Sequence, residues 1–130
     1  MKKLTCHVFF TITLLSSQQP NITVADVSVM IGRERGFDAC SGISVTEVET
    51  NVHAEPNSAS EIKNILKAGI RLWDCDWYEN GDESWIGVIY RQQGEAECGP
   101  LSSSIPEAKE YEGPCASGWV RFENITGIAG

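Results

Sequence analysis

The chain has few basic residues. It carries 10 lysines and arginines against 18 aspartates and glutamates in 130 residues, which gives a formal net charge of −8 at pH 7. Nucleic acids, anionic lipid surfaces and phosphate-rich wall polymers are all polyanions, and a protein with this balance repels them. We therefore expect no nucleic-acid partner. A neutral or cationic partner is easier to accommodate.

The chain also lacks an uninterrupted apolar run of the roughly 20 residues that a membrane-spanning helix needs. Residues 4–15 are mostly apolar, follow Lys2 and Lys3, and precede a small-residue sequence, Thr23-Val24-Ala25, that resembles a cleavage site. This pattern predicts a secretory signal peptide over residues 1–25 and a periplasmic or secreted mature protein with no membrane span. Its removal takes away two lysines and no acid, so the formal charge becomes −10. The alternative is that the segment is an amphipathic strand or helix of the mature domain.

Closely spaced cysteine pairs are absent as well. After residue 25 the chain has four cysteines, Cys40, Cys75, Cys98 and Cys115, and a single histidine, His53. A structural zinc site needs C-x-x-C-type ligand pairs, so we expect no metal, and nothing in the sequence implies another cofactor. An even number of cysteines in an exported chain instead predicts disulfide bonds.

Alternation of apolar and polar residues with a period of two predicts β-strands in several parts of the chain. In residues 70–75 the even-numbered positions, which include Leu72, share one face and the odd-numbered positions share the other. Residues 85–91 form the next predicted strand, after an Asn80-Gly81 turn. Residues 118–122 form the last predicted strand.

The remaining segments favour short elements separated by turns. β-Branched residues are spaced by polar ones over residues 43–52, while residues 60–67 fit either a helical turn or a strand with Ile62, Ile65 and Leu66 directed inward. No internal repeat and no long amphipathic helix is visible. The sequence therefore predicts a small all-β barrel or sandwich.

Four pieces of sequence, in the same order, resemble the motifs of the bacterial SH3-like (SH3b) domain family. They are NVHAEPNSAS at 51–60, ILKAGIRL at 65–72, WIGVIY at 85–90 and GWV at 118–120. The sequence departs from the family pattern at His53 and Glu55, where the family usually carries Arg and Gly. The four cysteines and the phrase GPCASGWV further resemble a group of small exported bacterial proteins that contain an SH3 domain and often lack an assigned role.

The resemblance implies a domain organisation. We expect an N-terminal arm over residues 26–42 and an SH3-like barrel over 43–126, with an insertion at 92–117 before the last strand. In such barrels the G-W-V strand pairs within the sheet, its glycine permits a close approach, and Trp119 fills the small core.

Sequence alone leaves three disulfide pairings open, and we predict Cys98–Cys115 with Cys40–Cys75. The first pair brackets the insertion, whose ends must approach each other if the strands on either side are neighbours. Cys75 lies on the strand face opposite Leu72, so it faces away from the core and can meet only a segment lying over the barrel. The N-terminal arm is such a segment, and Cys40 is its only cysteine.

We expect a non-catalytic protein. An exported cysteine peptidase pairs a free thiol with a histidine, whereas His53 stands alone here and the four cysteines are expected to be oxidised. The chain is also too short for a second domain beside the barrel.

SH3-like folds often offer an aromatic-lined groove to extended peptides. The candidate ligand-binding residues are Trp73, Trp77, Tyr78 and Tyr90. The resemblance thus implies a binding module for a peptide, a peptidoglycan fragment or an envelope protein. Alternatively, these aromatic side chains only cap the barrel ends.

The alternative function is that of a secreted protein–protein inhibitor or protective factor that uses the 92–117 loop. A binding module should show Trp73, Trp77 and Tyr78 as one exposed patch, and an inhibitor should expose apolar surface on that loop.

Overall fold

A computed structural model describes residues 27–33, 38–92, 97–98, 101 and 103–129. The predicted signal peptide, residues 1–25, lies outside the described residues. Within the described ranges the regular structure consists of strands and one 3₁₀ turn, so the all-β class is confirmed. None of the described residues belongs to a helix with the length and apolar character needed to cross a membrane.

The strands are β1 (Met30–Ile31), β2 (Gly42–Thr46), β3 (Thr50–His53), β4 (Ile62–Leu66), β5 (Arg71–Asn80), β6 (Glu83–Tyr90), β7 (Lys109–Glu110), β8 (Ala116–Arg121) and β9 (Ile125–Ala129), with the 3₁₀ turn at Phe122–Asn124.

Seven strands form one antiparallel sheet in the order β4-β3-β8-β6-β5-β2-β9. Side chains on one face of this sheet form an inner core, which consists of Val52, Leu66, Leu72, Val88, Tyr90 and Val120. Leu66 of edge strand β4 belongs to this core, and Ile125 of the other edge strand, β9, packs against it. The sheet therefore curls around one apolar cluster, as a small barrel does.

The opposite face of the sheet is covered by the arm and the insertion, which pair with each other through β1 and β7. They enclose a second, outer core formed by Val29, Ile31, Ala39, Cys40, Cys75, Trp85, Ile89, Cys98, Leu101, Cys115 and Trp119. Strand β6 contributes to both cores, with Trp85 and Ile89 on the outer side and Val88 on the inner side. An N-terminal extension and a disulfide-closed insertion are thus part of the fold.

The strand that carries the G-W-V sequence lies inside the sheet, between β3 and β6. Its glycine is needed for a close approach, since a Cβ on Gly118 would collide with the Val52 side chain and lie 3.0 Å from the His53 carbonyl oxygen. Trp119 is buried as expected, but it lies in the outer core, and Val120 faces the inner one.

Three further expectations need correction. The strand around Trp119 is not the last, because β9 follows it and pairs with β2. The insertion ends earlier than expected, since β8 begins at Ala116. Residues 62–66 do form a strand, but only Leu66 points inward, while Ile62 and Ile65 are about half exposed because β4 is an edge strand with one face in solvent.

Candidate functional site

Both predicted disulfides are present, and both belong to the outer core. Cys40 joins Cys75 and Cys98 joins Cys115, with Cα–Cα distances of 4.0 and 5.2 Å. The first attaches the arm to β5 and the second closes the insertion beside β8. All four thiols are therefore oxidised.

A buried carboxylate holds the arm in place beside the first disulfide. The side chain of Asp76 is 1% exposed and accepts the Arg33 Nε–H at 2.9 Å. It also accepts the backbone N–H groups of Met30 at 3.1 Å and of Trp77 at 2.9 Å. Because every contact of this carboxylate fixes the arm or its own strand, Asp76 is a structural residue rather than a ligand-binding one.

Tyr90 does not line an open groove, contrary to the sequence-based expectation. It is 2% exposed and lies in the inner core, where its hydroxyl accepts a hydrogen bond from Asn64 Nδ2 at 3.3 Å. The reason is the position of β6, which lies between β5 and β8 and has both faces covered.

The other three candidate aromatic residues stay accessible, but they do not form one patch. Trp77 is 49% exposed and Tyr78 is 52% exposed, while Trp73 is partly buried against the outer core. Trp77 lies opposite Ile86 and Tyr78 lies opposite Trp85 in the β5–β6 ladder, so the two side chains project to opposite sides. Each of the three lines a different depression.

Tyr78 lines a depression that we call the Tyr78 cleft. Its volume is about 250 Å³, and its walls are formed by Val27, Glu55, Pro56, Asn57, Tyr78 and Asn80. The side chain of Asn80 donates to the Pro56 carbonyl oxygen at 3.1 Å, which ties the β5–β6 turn to the loop after β3. The cleft is thus held in shape by a hydrogen bond between the two loops that form it.

Glu55 and Pro56 were not among the sequence-predicted site residues. Glu55 stands where the resembling family usually has glycine, and this departure was the only available signal. Its partly exposed side chain adds a carboxylate to a cleft that otherwise offers an aromatic ring, a valine, a proline and two amides.

Trp73 lines a second depression, which we call the Arg71 depression. It has a volume of about 380 Å³ and is lined by Ile70, Arg71, Trp73, Arg91 and Glu97. The Arg71 guanidinium carbon lies 5.6 Å from the Trp73 ring centroid, and the Arg91 Nη1 lies 3.2 Å from the Glu97 Oε1. The sequence predicted Trp73 as a candidate ligand-binding residue, but it did not predict Arg71 or Arg91.

His53 plays a packing role. It is 7% exposed, and its ring meets the Trp85 ring edge-on with 5.1 Å between centroids. Its Nδ1 lies 3.2 Å from the Ser60 carbonyl oxygen and 3.3 Å from the Ser60 hydroxyl. With all four cysteines of the described ranges in disulfides, His53 has no free thiol to activate there, and those ranges also hold no cluster of three metal-ligating side chains.

Asp74 is a largely buried carboxyl whose pKa departs from its ordinary value. Burial raises the pKa of the Asp74 carboxyl above its ordinary value, and the hydrogen bond from the Ser44 hydroxyl, 2.6 Å long, lowers it by less. Asp74 lies opposite Val88 of the inner core and lines neither of the two depressions described above. We assign it to the stability of the barrel.

No family model, no curated protein and no solved structure matches this chain.

Proposed function

We propose that this chain is an exported, non-catalytic SH3-like binding module that recognises a short extended peptide in the Tyr78 cleft. Candidate sources of this peptide are free peptides, wall fragments and segments of envelope proteins. The observation that carries the proposal is the half-exposed Tyr78 ring beside Glu55 and Pro56 in a cleft of about 250 Å³.

The lining of the cleft favours a peptide over a sugar-only or apolar ligand. A tyrosine offers a large, rigid and amphipathic surface at low entropic cost, which suits the flat side of an extended backbone. The amides of Asn57 and Asn80 provide polar edges. Because the Asn80–Pro56 hydrogen bond already fixes the loops, little ordering is needed on binding.

Charge favours a ligand with an amino group. Glu55 places a carboxylate in the cleft, and the chain as a whole has a formal charge of −8. An ammonium group of a lysine-like side chain would meet Glu55 while the rest of the peptide lies on Tyr78. The surrounding negative field would attract such a ligand and repel acidic ones.

Export is supported by two features. The N-terminal segment has the composition of a signal peptide, and the chain forms two disulfides, which persist in oxidising compartments such as the periplasm or the extracellular space.

The test is a calorimetric titration of the protein with two matched tripeptides, acetyl-Ala-Lys-Ala-amide and acetyl-Ala-Glu-Ala-amide. We expect the lysine peptide to bind and the glutamate peptide not to bind. Tyr78→Ala should weaken binding about tenfold, which corresponds to roughly 1.4 kcal/mol, and Glu55→Gln should reduce the preference for lysine. Soluble peptidoglycan fragments, titrated in parallel, distinguish a wall ligand from a free peptide.

Trp77→Ala is the matched control, because Trp77 is equally exposed on the same strand but lies outside the Tyr78 cleft. It should bind like the unmodified protein. If Trp77→Ala abolishes binding while Tyr78→Ala leaves it intact, the proposed site is wrong. If the peptides bind with equal affinity, the role of Glu55 is wrong.

A further inference from the structure

We propose that the Arg71 depression is a second binding site, specific for a carboxylate attached to an apolar group, and that Glu97 of the insertion occupies its cationic end in the ligand-free protein. The site is separate from the Tyr78 cleft, since the two share no lining residue. Its ligand class includes the free C-terminus of a peptide and small organic acids.

The first observation is the convergence of two cations in an acidic protein. Arg71 begins β5 and Arg91 directly follows β6, and the ladder between these strands pairs Trp73 with Ile89. Extending this register by two residues sets Arg91 opposite Arg71, and both line one depression. Like charges directly opposite each other destabilise a sheet, so an anion between them would be stabilising.

The second observation is that Arg71 lacks such an anion. Within the described part of the chain no carboxylate lies within ion-pair distance of Arg71, and its guanidinium is stacked over Trp73 instead. Stacking leaves the N–H groups at the guanidinium edge available, and these match the two oxygens of a carboxylate.

The ion pair between Glu97 and Arg91 indicates that the site accepts a carboxylate. The Glu97 carboxylate pairs with Arg91 at 3.2 Å, yet the Glu97 side chain is 88% exposed. An exposed ion pair of this kind is weak and screened by salt, so an incoming carboxylate can displace it at little cost. The negative charge of the whole chain disfavours phosphates and other multiply charged anions, which leaves a singly charged carboxylate as the best match.

Trp73 and Ile70 determine what the carboxylate should carry. They contribute apolar surface beside the arginines, and a volume of about 380 Å³ accommodates a small side chain or a dipeptide end. An apolar group next to the carboxylate would cover Trp73 while the anion bridges Arg71 and Arg91.

The experiment is an NMR titration of the isotopically labelled full chain with acetyl-Ala-Ala, which has a free carboxylate, and with acetyl-Ala-Ala-amide as its uncharged counterpart. We expect the acid, and not the amide, to shift the Trp73 indole and Arg71 Nε–H signals. Glu97→Gln should tighten binding about two- to fivefold, the range that an exposed ion pair supports. Arg71→Gln and Arg91→Gln should each weaken it about tenfold.

Lys67→Gln is the charge-matched control, because it removes one exposed cation outside the depression. It should leave the affinity within about twofold, a change that long-range electrostatics alone can produce. Thermal unfolding of each variant verifies that the fold is intact. Three results would each overturn the proposal. The acid and the amide could bind equally, the Arg71→Gln variant could bind as well as Lys67→Gln, or the Glu97→Gln variant could fail to bind the acid at about 10 mM peptide.

Discussion

The hydroxyl of Ser44 donates a 2.6 Å hydrogen bond to Oδ1 of Asp74, and this pair joins β2 to β5 on the inner side of the sheet. Ser44 is fully buried, and burial raises the pKa of Asp74. The folded barrel therefore holds this carboxyl less readily in its charged form than the unfolded chain does.

This relationship predicts how stability depends on pH. The pKa of Asp74 is higher in the folded barrel than in the unfolded chain. The contribution of Asp74 to the free energy of unfolding is therefore most favourable at pH values below the unfolded pKa, and it is lost as pH rises through the folded pKa. Asp74→Asn keeps an oxygen acceptor for Ser44 and removes the charge, so it should raise the melting temperature at pH 7. The gain should shrink towards pH 4. A gain of the same size at both pH values would contradict this assignment.

The Asp76 contacts predict unequal costs for two substitutions. Asp76→Ala leaves the backbone N–H groups of Met30 and Trp77 without their acceptor, so we expect a loss of about 2–4 kcal/mol in the free energy of unfolding. Arg33→Gln should cost less than about 1 kcal/mol, because the Arg33 side chain is 52% exposed. Urea denaturation measures both, and equal losses would show that the ion pair, not the backbone contacts, holds the arm.

A pair of glycines offers a test of the close approach between β3 and β8. Gly118→Ala should cost about 1–3 kcal/mol, since its Cβ meets Val52 and the His53 backbone in a packed sheet. Gly127→Ala in β9 is the control, because nothing lies within 4 Å of its Cβ, and it should be neutral or slightly stabilising. Thermal unfolding of the two variants gives the comparison. Similar melting temperatures would count against a tight β3–β8 contact.

The two disulfides should differ modestly in their effect. They close segments with sequence separations of 35 and 17 residues, so loop entropy predicts losses of about 4 kcal/mol for the Cys40–Cys75 pair and about 3 kcal/mol for the Cys98–Cys115 pair. Serine replacement of each pair, followed by denaturant unfolding, measures these losses. Peptide mapping without reduction checks the connectivity, and a Cys75–Cys98 peptide would contradict both pairs.

The sequence predicts the alternation of β5 up to Asp74 but not beyond it. The β5–β6 register shifts between Asp74 and Asp76, so the faces on which later residues lie are exchanged relative to a regular strand. This bulge places Trp77 on the face opposite Trp73, and strand alternation places Trp77 and Tyr78 on opposite faces, so the predicted aromatic patch does not form. A bulge depends on how two strands pair, and a single strand's alternation does not contain that information.

Burial on β2 shows a second limit. The buried positions are Ser44 and Thr46, whose hydroxyls bond to Asp74 and to the Lys67 carbonyl oxygen, while the apolar residues Ile43 and Val45 are only partly buried. Hydrophobic patterning predicts that the face with the apolar residues is the buried one, because the pattern does not show which hydroxyl groups will find hydrogen-bond partners. By contrast, the sequence WIGVIY is apolar on both faces, which is typical of a strand covered on both sides, and it could have predicted that Tyr90 is buried.

The measurement that tests the central claim most directly is chemical-shift mapping of the lysine tripeptide on the labelled full chain. Peptide recognition in the Tyr78 cleft predicts saturable shifts at Glu55, Asn57, Tyr78 and Asn80, with Trp77 unaffected. Shifts confined to other surfaces, or none at peptide concentrations of about 10 mM, would contradict it.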